Sequence, residues 1–224
     1  MYDSETAWRE VDDYFVDMLV SEDEALADAR ASGQRTTMPQ AEVAPNQGRL
    51  LALLCRMAGA KRVLELGTLA GYSTVWLARA VGEGGHVTTL ELEEQNAAIA
   101  RSNLRHAEVA HRVEVLVGPA ADSARRLIKD AVEPYDFVFI DADKPSNPEY
   151  LRAALELTGA GSVIIVDNVV RNGAVANPDS PDPRVQGVRT VIDDIAQDER
   201  LEATAIQTVG SKGWDGFTII LRTR

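Results

Sequence analysis

Cysteine is nearly absent: Cys55 is the only one in 224 residues. One thiol excludes an internal disulfide framework and any zinc site built from several cysteines, and it fits a reducing compartment. Basic residues are also scarce, with Lys+Arg 23 against Asp+Glu 35 and a formal net charge of −12. That balance, without a cluster of Lys and Arg, argues against a nucleic-acid binder or a partner of anionic membranes, both of which need positive potential. No apolar run approaches the roughly 20 residues of a membrane span. Met1-Tyr2-Asp3-Ser4-Glu5 shows no basic region followed by an apolar core, so no signal peptide is read. The expectation is a cytoplasmic globular protein. A hydrophobic fraction of 45% excludes disorder as the overall state. The length suits one large domain, or one domain with a short extension.

Residues 1 to about 60 read as helical. Val11, Tyr14, Phe15, Met18 and Leu19 recur at helical spacing, and the plain meaning of such a stripe is core packing. Ser21-Glu22-Asp23-Glu24 resembles a capping box, opening a second helix that stops near Gly33. A third helix runs from Asn46 through Met57 to a stop at Gly59. From Lys61 the texture changes. Strands at Val63–Leu66, His86–Leu92, Arg112–Val117, Tyr135–Ile140 and Ser162–Val166 alternate with helical segments. Such alternation predicts βαβ units and a mostly parallel sheet. Beyond a helix near Val188–Ala196, strands at Leu201–Val209 and Phe217–Arg222 flank Gly210–Gly216. That stretch is too short for a crossover helix, so the two strands should pair antiparallel. The polar loop from Arg171 to Arg184 contains Pro178, Pro181 and Pro183 and has the length of a lid or binding loop.

Ligands of open parallel sheets bind beyond the carboxyl ends of the strands, near the point where strand order reverses. The first strand leads into Glu65-Leu66-Gly67-Thr68-Leu69-Ala70-Gly71-Tyr72-Ser73. Gly67 lets the backbone turn toward a ligand, and Gly71 opens the next helix, whose free N–H groups can hold an anion. Glu91 closes the second strand, where a carboxylate accepts hydrogen bonds from both ribose hydroxyls. A dinucleotide fingerprint is missing, since Gly-x-Gly-x-x-Gly from Gly67 would need glycine at Leu69 and Tyr72. A nucleoside with an amino-acid tail fits better than a pyrophosphate, with Ser73 toward the tail carboxylate and Glu65 toward its ammonium. S-adenosylmethionine is therefore favoured over NAD.

The fourth strand runs into Asp141-Ala142-Asp143-Lys144 and the fifth into Asp167-Asn168. As neighbours, such strand ends lie about 4.8 Å apart. Asp141, Asp167 and the Asn168 amide oxygen then form a hard oxygen set suited to Mg2+, with Mn2+ and Ca2+ left open. His86, His106 and His111 are scattered and offer no softer site. Lys144 lies three residues beyond Asp141, and a lysine beside a bound cation is a candidate general base.

Several segments carry a resemblance in this order and spacing. They are Val63-Leu64-Glu65-Leu66-Gly67-Thr68 with Gly71-Tyr72-Ser73-Thr74, Phe139-Ile140-Asp141-Ala142-Asp143-Lys144, Asp167-Asn168 and finally Asp215-Gly216. From about Val43 onward the chain resembles the cation-dependent O-methyltransferases of the catechol and caffeoyl-coenzyme A type. The resemblance implies an α/β fold: a Rossmann-like seven-stranded methyltransferase sheet, mostly parallel with an antiparallel last strand, helices on both faces and extra N-terminal helices. It implies a helical extension over 1–45, acting as cap or dimer contact, and a methyltransferase domain over 46–224, often as a homodimer. Glu65, Gly67, Thr68, Ser73 and Glu91 would surround S-adenosylmethionine, with Val43 and Ala120 lining the pocket and Asp141 between cofactor and metal. Asp141, Asp167 and Asn168 match the metal ligands, and Lys144 the catalytic base. The implied acceptor is a small aromatic vicinal diol. One departure stands out: the family continues Asp-Lys-x-Asn-Tyr-x-x-Tyr, whereas Asp143-Lys144-Pro145-Ser146-Asn147-Pro148-Glu149-Tyr150 keeps Tyr150 but has Ser146 and Asn147 in place of Asn-Tyr, with two prolines reshaping the turn. Rival functions are an NAD-dependent oxidoreductase, opposed by the missing glycines, and a cofactor-binding regulator without turnover, opposed by the complete metal and base set.

Overall fold

A computed structural model describes residues 5–224. The aliphatic segments form strands because neither of their faces can be left in water. They are β1 (Arg62–Leu66), β2 (His86–Glu91), β3 (Val113–Val117), β4 (Tyr135–Ile140) and β5 (Thr158–Asp167). With β6 (Leu201–Gly210) and β7 (Gly213–Arg222) they make a seven-stranded sheet of order β3-β2-β1-β4-β5-β7-β6. The first five are mutually parallel, and β7 runs antiparallel to both β5 and β6. Strand order reverses between β1 and β4. The closing hairpin is tighter than the sequence suggested: Gly210 pairs with Gly213, leaving only Ser211 and Lys212 at the tip.

Crossover helices cover both faces. Helices α3 (Pro45–Met57), α4 (Tyr72–Val81) and α5 (Glu94–His106) lie on one, and α6 (Ala120–Lys129), α7 (Asn147–Glu156) and α8 (Pro183–Gln197) on the other. Alternate strand residues divide between two cores, as the two-residue period of a strand requires. Val63, Val87, Phe137 and Phe139 pack with Leu51, Val75 and Leu77, while Leu64, Leu90, Val138 and Ile140 pack with Leu127, Leu151 and Val188. Each fully buried aliphatic side chain contributes about 1.5–3 kcal/mol of transfer free energy.

The N-terminal helices are α1 (Glu5–Leu19) and α2 (Glu24–Ser32). Residues 1–4, included in the helical expectation, lie outside the described residues. Asp23, not Ser21, caps α2, its carboxylate accepting from the Leu26 N–H at 3.0 Å. Leu26 and Ala29 join the α3–α4 core. The α1 stripe corrects the expectation of core packing: Phe15 is 45% and Leu19 68% exposed, and Val11, Tyr14 and Met18 are exposed with them. Instead, α1 docks through its other face. Buried Asp12 accepts from Asn46 Nδ2 at 2.9 Å and from the Ser211 N–H at 2.7 Å, and Val16 and Val20 pack against the core. No helix among the described residues is long and apolar enough to cross a membrane.

Candidate active site

The strand register aligns the polar strand ends in one row. Leu66 stands opposite both Leu90 and Ile140, and Ile140 opposite Val166. One residue further on, Glu91, Gly67, Asp141 and Asp167 therefore lie side by side across β2, β1, β4 and β5. The ladder continues into the row, with the Gly67 N–H on the Leu90 carbonyl at 3.0 Å and the Asp141 N–H on the Leu66 carbonyl at 2.8 Å. Three strand spacings separate Glu91 from Asp167, roughly 14 Å. The row spans the point of strand-order reversal, where ligands of such sheets bind.

At one end, Glu91 is almost wholly buried and held by three donors. Its Oε2 accepts from the Leu69 N–H at 2.8 Å, and its Oε1 from the Glu93 N–H and Asn96 Nδ2, both at 3.0 Å. Asn96 also bonds Thr37 through Oδ1 and Nδ2, joining the segment between α2 and α3 to the same carboxylate. Behind the row sits Glu65, 0% exposed. Ser73 Oγ donates to its Oε1 at 2.6 Å, Thr89 Oγ1 to its Oε2 at 2.6 Å, and Thr74 Oγ1 also to its Oε2. Thr68 Oγ1 lies 2.6 Å from Thr89 Oγ1, so Glu65 gathers Thr68 and Ser73 into one network. Burial pushes the Glu65 carboxyl up to about 7, against the three hydroxyl donors. Gly71 caps α4 with φ +80°. Val43 is buried just before α3, and Ala120 opens α6 after β3.

At the other end, Lys144 Nζ donates to Asp141 Oδ1 at 2.7 Å, and the lysine is buried. Asp167 is buried too, accepting from the Asn168 N–H through Oδ1 and from Gln47 Nε2 through Oδ2, each at 2.8 Å. Burial, and then the charge of Asp141, push the Asp167 carboxyl well above the usual carboxylate range, with the Lys144 ammonium opposing. Asn168 adopts φ +57° directly after the strand. Of the expected hard-oxygen set, Asp141 and Asp167 thus stand at the ends of adjacent strands and Asn168 follows Asp167 directly; among the described residues no group of three His, Cys, Asp or Glu could hold a metal.

The surrounding loops are braced. Asp215 Oδ1 accepts from the Val170 and Arg171 N–H groups at 3.0 and 3.1 Å, fixing the chain just after Asn168. In the turn that departs from the family pattern, Ser146 Oγ and the Tyr150 hydroxyl both donate to Asp143. Helix α8 packs so closely here that a Cβ on Gly187 would stand 2.2 Å from the Lys144 carbonyl oxygen. Sequence reasoning missed Gln47, Thr89 and Asn96. Thr89 could have been found, as a hydroxyl two residues before Glu91 in β2; Gln47 and Asn96 carry no local signal.

Comparison with known proteins identifies the family. The O-methyltransferase family model matches residues 16–223. A catechol O-methyltransferase of Mycobacterium tuberculosis is 46% identical over 212 residues, 95% of this chain and 94% of that protein. The O-methyltransferase TomG of Streptomyces achromogenes, involved in tomaymycin synthesis and solved in complex with SAM, is 48% identical with a TM-score of 0.95 over 99% of both chains. An O-methyltransferase from Bacillus cereus, solved with SAH, is 47% identical with a TM-score of 0.96 over 98% of this chain and all of that one. On sequence and fold together, the chain belongs to the O-methyltransferase family.

Proposed function

We propose that the protein transfers the methyl group of S-adenosylmethionine to one hydroxyl of a catechol-like aromatic diol, with a divalent cation held by Asp141, Asp167 and Asn168. The register row carries this reading: it sets a ribose-type acid, Glu91, at one end of the strand-order reversal and two metal-type acids at the other. The residues fit a cation. Asp141 and Asp167 are close enough that the charge of one raises the pKa of the other, and Lys144 offers a single positive charge against two carboxylates. Mg2+ suits an oxygen set that leaves positions for both diol oxygens.

Glu91 accepts from the ribose hydroxyls, its orientation fixed by Leu69, Glu93 and Asn96. Ser73, Thr68 and Gly71 face the amino-acid tail, with Val43 and Ala120 beside the pocket. Glu65, whose carboxylate is already occupied, contributes by fixing the two hydroxyls rather than by meeting the tail itself. A divalent cation, if held by Asp141, Asp167 and Asn168, would supply Lewis-acid chemistry, orienting the diol and lowering the pKa of its reacting hydroxyl. Lys144 must first give up its own proton, a loss that a divalent cation beside it would favour by charge repulsion, and its neutral amine then takes the hydroxyl proton. The oxygen then attacks the methyl carbon in line with sulfur; the C–O bond forms as the C–S bond breaks, releasing the thioether, the methyl ether and a proton on Lys144. Holding the reactants in this alignment supplies much of the acceleration.

The exposed apolar face of α1 supports a homodimer in which residues 1–45 serve as cap and contact. The lone, buried Cys55 is consistent with a cytoplasmic setting. Incubation with S-adenosylmethionine and paired catechols and monophenols, read by mass spectrometry, tests the acceptor class. Methylated catechols with unreacted monophenols are expected; equal methylation of both would remove the vicinal-diol requirement.

A further inference from the structure

The structure assigns Gln47 as a positioning residue for the metal-binding acid Asp167, an inference that rests on the metal reading above. Gln47 lies 120 residues from Asp167 in the chain, yet its Nε2 donates to Asp167 Oδ2 at 2.8 Å. The Asn168 N–H holds Oδ1. A buried carboxylate clamped at both oxygens cannot rotate freely, so its remaining lone pairs keep a fixed direction. Gln47 is half-buried and combines a donor to the acid with no charge of its own. A lysine in its place would also donate but would cancel part of the negative potential that draws a cation.

The clamp is anchored on the helix side as well. Pro45 starts α3, and Asn46 and Gln47 complete its first turn, where the helix dipole favours an adjacent carboxylate. Asn46 holds α1 through Asp12, and its own Oδ1 accepts from the Gln47 N–H at 3.1 Å. Gly48 meets the Trp76 ring so closely that a Cβ there would lie 2.6 Å from its atoms, which fixes how far α3 sits from α4. One turn of helix thus divides two tasks between adjacent side chains: Asn46 fastens α1, and Gln47 orients the acid.

The test measures Mn2+ binding by electron paramagnetic resonance on the full chain, without cofactor or acceptor, for the unsubstituted protein, Gln47→Met, Asn46→Ala and Asp167→Asn. Met keeps the side-chain length of Gln47 and removes its donor. Orienting partners of metal ligands typically change affinity about 10–100-fold, so Gln47→Met should weaken Mn2+ at least ~10-fold while leaving the melting temperature and S-adenosylmethionine affinity unchanged. Asn46→Ala should lower the melting temperature and leave Mn2+ binding intact. Unchanged Mn2+ affinity in Gln47→Met, or an equal loss in Asn46→Ala, would overturn the assignment. A distinct result, no Mn2+ binding by the unsubstituted protein, would overturn both this assignment and the metal reading beneath it.

Discussion

Gly67 and Asp141 meet through their backbones: a Cβ on Gly67 would lie 2.3 Å from the Asp141 carbonyl oxygen, and Gly67 holds φ at +102°. The loop proposed to carry the cofactor therefore lies directly against the acid proposed to hold the metal, with no side chain between. Gly67→Ala should be destabilised by at least ~2 kcal/mol from backbone strain and displacement of Asp141. Chemical denaturation measures this, and a loss below half that value would mean the approach is easily relaxed.

Lys144→Ala should lower turnover by about 10²–10⁴-fold, the usual contribution of a general base, while calorimetry finds cofactor affinity within about twofold. Equal losses in both would assign Lys144 to holding the site together instead. Gly187→Ala, which presses on the Lys144 carbonyl from α8, should show the same separation in milder form.

Glu65 makes stability depend on pH in a defined direction. Its carboxyl rises from an ordinary 4.5 to about 7 in the folded protein, so between those values the folded chain holds the proton more tightly than the unfolded chain. Stability from this group is complete below pH 4.5, falls as the pH rises through about 7, and is level above that. The melting temperature of the native sequence minus that of Glu65→Gln should decline across this window. A constant difference would show that Glu65 does not titrate there.

Much of the fold was legible because each aliphatic run ends abruptly in an acid or a glycine. Tyr135–Ile140 stops at Asp141, and Val63–Leu66 stops at Gly67, so strand ends and site residues announce one another. Direction and distance were not legible. An apolar stripe such as Val11-Tyr14-Phe15-Met18 states that a helix has a face, not what covers it; Asp12, through its bonds to Asn46 and Ser211, decides which face turns inward. Ser73 and Glu65 were both identified as site residues, but their mutual hydrogen bond depends on how the turn between them closes. The Gln47–Asp167 bond joins residues from opposite halves of the chain and leaves no trace in local spacing.

The exposed face of α1 gives a prediction about assembly. Phe15→Glu with Met18→Glu should convert a dimer to a monomer in light scattering, with little loss of monomer stability, because both side chains are exposed. A dimer unaffected by the double substitution would place the contact elsewhere.

A cation held at Asp141, Asp167 and Asn168 is proposed to assist methyl transfer. The most direct test is the rate of catechol methylation after treatment with EDTA and gel filtration, then after addition of Mg2+. The site predicts loss of nearly all activity on chelation and its return with Mg2+, with cofactor binding retained throughout. Full activity in the chelated protein would contradict it.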